Sequence, residues 1–130
     1  MSGNVSFLID TGADVTTLHP VDVARLGMAY SDLDPPTSSS IGVGGRARAS
    51  VEPALLSFLD GRRLATFRAI LSIPASTQHN QKVTSLLGRD VLNRLRITYD
   101  GPAEKALMRV IDADGFHAGL TTDRRTVWNP

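Results

Sequence analysis

The sequence predicts a mainly β domain, a small closed β-barrel carrying one or two short helices. Three observations lead there. Many short β-prone runs are separated by turn signals at Gly, Pro and Asp-Gly. Two longer β-prone runs, 47–59 and 64–73, flank Asp60-Gly61, a strong hairpin turn. Only residues 20–26 and 90–95 carry helical signals, and both segments are short. The 130 residues fit one domain. At this size about two-thirds of the unfolded surface is buried on folding, enough for a core without staples.

The elements follow in order. Residues 5–9 are a short strand ending at Asp10, with Gly12 marking a tight turn, and β character resumes over 15–18. Pro20 opens a helix over 20–26, and Gly27 stops it. Residues 34–40 read as a loop, and the glycine-rich run Ile41-Gly42-Val43-Gly44-Gly45 lies between strands. Pro53 marks its strand as an edge or a bulge. Residues 74–82 are polar and loop-like. A brief apolar strand, 84–87, then runs into Gly88-Arg89-Asp90 and a short helix over 90–95. Strand 96–99 turns at Asp100-Gly101-Pro102 and pairs with 106–113. The remaining residues, 115–130, are polar apart from Phe116, Leu120, Val127 and Trp128.

Composition narrows the function. A formal net charge of +1 gives no footprint for nucleic acid or an anionic membrane. No apolar run is long enough to span a bilayer, and the start lacks the pattern of a signal peptide. Cysteine is absent, which removes disulfides and thiolate metal sites. Together these favour a soluble domain in the cytoplasm. His19, His79 and His117 are isolated, so surface or capping roles are expected rather than metal binding. Asp112-Ala113-Asp114-Gly115 lacks the later ligands of a calcium loop and reads as a turn. No Gly-x-Ser-x-Gly elbow is present, and neither Gly-Lys-Ser nor Gly-Lys-Thr follows the glycine-rich run.

The sharper signal is a set of three motifs. A hydrophobic strand, Phe7-Leu8-Ile9, delivers Asp10-Thr11-Gly12-Ala13-Asp14; the glycine-rich run follows; Leu86-Leu87-Gly88-Arg89-Asp90-Val91-Leu92 comes far downstream. Asp-Thr-Gly alone is a common turn sequence. The three together, in this order, resemble the retropepsins, the retroviral-type aspartic proteases, over residues 5–101.

That resemblance implies a catalytic loop centred on Asp10, a flap over 41–45 and a second loop at 86–92, in a barrel that works as a homodimer on a polypeptide substrate without a cofactor or metal. The sequence agrees independently. It holds one Asp-Thr-Gly and no Asp-Ser-Gly, while the chemistry needs two facing carboxylates. By resemblance Thr11 bonds across the dimer, Gly12 gives the loop its backbone shape, and Asp14 pairs with Arg89. Ala13, Ile41, Val43 and Leu87 would line apolar subsites and select hydrophobic side chains, with Gly42, Gly44 and Gly45 giving the flap its mobility.

Only nine residues precede Asp10, fewer than the resemblance implies. The expectation is a protease domain over 1–101 and an extension over 102–130 whose run 106–113 serves as an interface strand, anchored by Trp128. The alternative is a catalytically silent dimerisation or peptide-binding domain of the same fold.

Overall fold

The Asp60-Gly61 turn organises the largest part of the molecule. In the computed structural model, which describes residues 2–42 and 45–117, strands β3 (Gly45–Asp60) and β4 (Arg63–Pro74) form one long antiparallel hairpin. Its register runs from Asp60↔Arg63 to Ala49↔Pro74. Gly61 has φ of 62°, a conformation that carries no steric cost for glycine and closes the two-residue turn. Strand β2 (Ser38–Gly42) covers one edge of β3 only as far as Ala49. Pro53, which has no N–H to give, lies beyond that on the uncovered edge, where a missing donor is tolerated.

Two further ladders complete the sheet structure. Strand β1 (Leu8–Ile9) runs parallel to β5 (Leu86–Leu87), and β6 (Leu95–Asp100) pairs antiparallel with β7 (Lys105–Val110). Thr17 joins the first ladder to the long hairpin, bridging Leu86 on one side and Ser72 on the other. Strand β8 (Gly115–His117) adds to β4 at Leu64–Thr66. Helices are few: α1 (Pro20–Arg25), a 3-10 turn at Tyr30–Asp32, and α2 (Arg89–Leu92). Gly27, with φ of 71°, follows α1 where the sequence placed its stop.

The architecture is mainly β with short helices. Among the described residues the ladders run β2-β3-β4-β8, β1-β5 and β6-β7 rather than into one continuous cylinder. The polar run 34–40 is not all loop. Ser38, Ser39 and Ser40 pair with Ala49, Arg48 and Ala47, because a neighbouring edge supplies ladder bonds whatever the side chain. The strand expected over 106–113 ends at Val110. Trp128, with 118–130, lies outside the described residues.

Strand alternation sorts the apolar residues into two clusters. Phe58, Ala65, Phe67, Leu87, Val91 and Leu92 form one, with Phe58 and Phe67 edge-to-face at 5.8 Å. Leu18, Val23, Leu71 and Ile73 form the other, and Leu56 touches both. The turn read at 112–115 has an anchoring part. Asp114 takes two hydrogen bonds from Arg94 (3.0 and 3.1 Å) and one from the Arg68 N–H (2.6 Å). The neighbouring guanidinium holds the Asp114 carboxyl below its ordinary range.

Candidate active site

Strand β1 delivers Asp10 with its backbone still tied. The Asp10 N–H donates to the Leu87 carbonyl at 3.0 Å, and the chain then turns, with the Ala13 N–H donating to the Asp10 carbonyl at 3.1 Å. Inside the turn the Gly12 N–H donates to Asp10 Oδ1 at 2.9 Å. A Cβ on Gly12 would stand 3.2 Å from that same oxygen, so glycine keeps room for the bond. One carboxylate oxygen is thus oriented by the loop's own backbone. Oδ2 has no partner among the described residues.

The second loop locks onto the first from behind. At Gly88 a Cβ would lie 2.5 Å from the carbonyl carbon of Val15 and 2.6 Å from its oxygen. Its φ of −93° suits any residue, so glycine is needed here for space and not for torsion. That close approach lets the first N–H groups of α2 reach the Asp10 loop. Arg89 N–H donates to the Ala13 carbonyl (2.8 Å) and Asp90 N–H to the Asp14 carbonyl (3.2 Å). The Arg89 guanidinium donates to the Thr11 carbonyl at 2.9 Å and also to the Asp14 carboxylate. Both members of that ion pair are well exposed, so its energetic worth is small and its effect is positional.

A third brace was not read from the sequence. Asp90 accepts the Thr16 N–H (3.1 Å) and the Thr16 hydroxyl (2.8 Å), while Thr16 Oγ1 accepts the Gly88 N–H at 3.1 Å. Thr16 is sealed from solvent. The usable signal was Asp90 in the first turn of a helix, beside an arginine already assigned to the loop.

Asp10, Gly12, Ala13 and Asp14 open into a cleft of about 330 Å³, with Ile41, Gly42 and Gly45 of the β2–β3 hairpin on its rim. Val43 and Gly44 lie outside the described residues. Thr11 is exposed, and its hydroxyl has no partner among the described residues. A larger apolar hollow of about 1030 Å³, bounded by Val5, Leu26, Ala54 and Ile70 among others, shares no residue with the cleft. The smaller of the two holds the Asp10 and Asp14 carboxylates.

Two expectations are corrected. Leu87 does not line the cleft: it is 1% exposed and packs against Phe67 and Val91, while Leu86 faces the cleft instead. In a two-residue strand buried on both faces, register with β1 decides which leucine points where. His19 is neither a surface residue nor a side-chain cap. It holds the N-cap position of α1 through its backbone carbonyl alone, is buried, and lies 3.0 Å through Nδ1 from the Thr84 carbonyl. Beside it the Ser85 hydroxyl accepts the His19 N–H at 2.9 Å and donates to Asp22 at 2.5 Å.

The site is thus a strand-delivered Asp-Thr-Gly loop, braced by a second loop that opens a short helix. Comparison with known proteins supplies the family. The aspartyl protease family model matches residues 2–91, and the chain belongs to that family. Among solved structures it is similar to a retropepsin-like aspartic protease from Rickettsia conorii, at 22% identity and a TM-score of 0.52, over 81% of this chain and 79% of that one. Its fold is therefore retropepsin-like. No curated protein matches it. Among the described residues no helix is long and apolar enough to cross a membrane.

Proposed function

We propose that the chain is an aspartic endopeptidase that works as a homodimer, each protomer contributing one Asp10. The observation that carries this reading is the loop itself: a carboxylate oriented by Gly12, opening on a cleft, with only one such acid per chain. Family and fold support a peptidase.

In the dimer two Asp10 carboxylates held close together cannot both ionise easily, so the pair holds one proton between them. The ionised member takes a proton from a water, and the protonated member hydrogen-bonds the scissile carbonyl. Water attacks, and the carboxyls return a proton to the leaving amine. Thr11, whose hydroxyl has no partner among the described residues, bonds across the two-fold axis. The Asp14–Arg89 pair keeps the loop in register with α2. The β2–β3 hairpin acts as the flap, and Ala13 and Ile41 supply the apolar part of the peptide groove. Barrel closure, in this reading, comes from the bridges at Thr17 and from side-chain packing between ladders.

The dimer contact is assigned to the β6–β7 hairpin. Leu95, Ile97 and Val110 at its base pack on the core, while Tyr99 and Leu107 toward its tip are 77% and 70% exposed.

Replacing Asp10 with Asn tests the reading. Peptide cleavage should fall by on the order of 10³-fold or more, with circular dichroism and dimerisation kept. Wild-type activity should be highest at acidic to near-neutral pH. A dimer that binds peptide, with no cleavage that depends on Asp10, would leave the silent binding domain instead.

A further inference from the structure

The proposed chemistry leaves three polar side chains on the cleft wall without a task. Thr17 bridges Ser72 on one side and Leu86 on the other, which puts their side chains on one face. His19, two residues on, shares that face, whereas Thr16 turns away to Asp90 and Leu18 turns into the core. Thr17, His19 and Ser72 all line the cleft that holds Asp10. The wall was expected to be apolar.

The free atoms of this group can be assigned. A carbonyl only accepts, so Nδ1 of His19, 3.0 Å from the Thr84 carbonyl, carries the ring proton and Nε2 carries the lone pair. Nε2 has no partner among the described residues. No side-chain nitrogen or oxygen there is both sealed from solvent and unpartnered, so Nε2 must be open to solvent, and the cleft is the opening that His19 lines. Burial pushes the His19 imidazole below its ordinary value, which keeps it neutral and accepting. The Thr17 hydroxyl makes one long bond, 3.3 Å to the Val15 carbonyl, and keeps its lone pairs. The Ser72 hydroxyl has no partner among the described residues.

We propose that Thr17, His19 and Ser72 form a substrate side-chain subsite that selects an uncharged hydrogen-bonding residue, an amide or a hydroxyl. The inference rests on the endopeptidase reading and adds its substrate preference. An aliphatic side chain would strip water from three polar groups and return nothing. A cation would lose its hydration against nearly buried Thr17 and His19. A carboxylate would set its own lone pairs against the Nε2 lone pair of His19.

The test is a position-scanning peptide library cleaved by the wild type, by Thr17→Val, which is isosteric, and by Ser72→Ala. At one position Asn, Gln, Ser or Thr should exceed Leu, Ile and Val by about tenfold in kcat/KM, and each variant should erase most of that ratio. Comparing Asn and Gln with Ser and Thr distinguishes the amide from the hydroxyl. The same peptide pairs are then bound to Asp10→Asn protein. Cleavage that depends on Asp10 but favours aliphatic residues, or a polar preference unchanged in both variants, overturns the subsite and leaves the protease standing. Selective binding without cleavage overturns the protease and keeps the subsite. Neither cleavage nor selective binding overturns both.

Discussion

Around the Asp10 loop, the bracing groups find their partners inside one chain: Gly12 on Asp10, Arg89 on Thr11 and Asp14, and Asp90 on Thr16. The β6–β7 hairpin is built the other way. Its base joins the core through Leu95, Ile97 and Val110, but toward its tip Tyr99 and Leu107 meet solvent and β6 and β7 pair only with each other among the described residues. One region is over-determined by its own chain, and the other is left open. In the proposed dimer, an acid held to a fraction of an ångström before its partner arrives would need the first arrangement. A surface completed by a second copy would need the second.

The largest break in that contrast should come from Gly88→Ala. The new methyl would meet the Val15 backbone, which cannot swing aside as a flexible side chain could. Separating the two loops should cost about 3 kcal/mol of stability, at the upper end of overpacking effects. Urea denaturation would read this as a lowered midpoint at unchanged slope. Gly42→Ala is the control, because a Cβ there meets nothing within 4 Å among the described residues. Equal midpoints for the two variants would mean that the loops are not locked by this approach.

The same contrast explains what the sequence disclosed. Asp10, Gly12, Arg89 and the turns at Gly27 and Gly61 were legible because each acts through chemistry tied to its own position: an acid in a tight turn, a planar fork, a positive φ. The Asp90–Thr16 brace was not, since it joins residues 74 apart and exists only once Gly88 has brought the loops together. Leu86 and Leu87 are alike in pattern, and only pairing with Leu8 and Ile9 sends one to the cleft and the other to the core. His19 looked isolated because Thr84 and Ser85, its hydrogen-bond partners, lie far along the chain and reach it only through the fold.

A smaller effect should follow from changing the open region. Tyr99→Ser combined with Leu107→Ser removes apolar surface that is mostly exposed among the described residues. The folded protomer should change stability by roughly 0.5 kcal/mol or less, as surface substitutions usually do. If the hairpin is the dimer contact, losing two buried apolar groups should weaken dimerisation by about tenfold or more. Sedimentation at several concentrations would measure this, and specific activity should recover as concentration rises. An unchanged dimer would send the interface elsewhere on the surface.

The smallest effect concerns pH, and it acts on the over-determined region. Burial lowers the His19 pKa below 6.5, opposed in part by the bond to Thr84 and the nearby charge of Asp22. The folded chain therefore resists a proton that the unfolded chain accepts. As pH falls through about 6.5 the unfolded state binds more protons, so stability declines until the lower folded value is passed, and it is fully restored above 6.5. His19→Asn keeps an N–H donor where Nδ1 stands and removes the titration. Urea midpoints at pH 7.5 and 5.5 should then fall for the wild type and fall less for the variant, once the carboxylates common to both are subtracted. The acid limb of the activity profile would carry the same mark. In the proposed dimer, acid that supplies the shared proton of the Asp10 pair would also loosen the wall of the cleft beside it. Parallel stability profiles for the two proteins would remove His19 from that account.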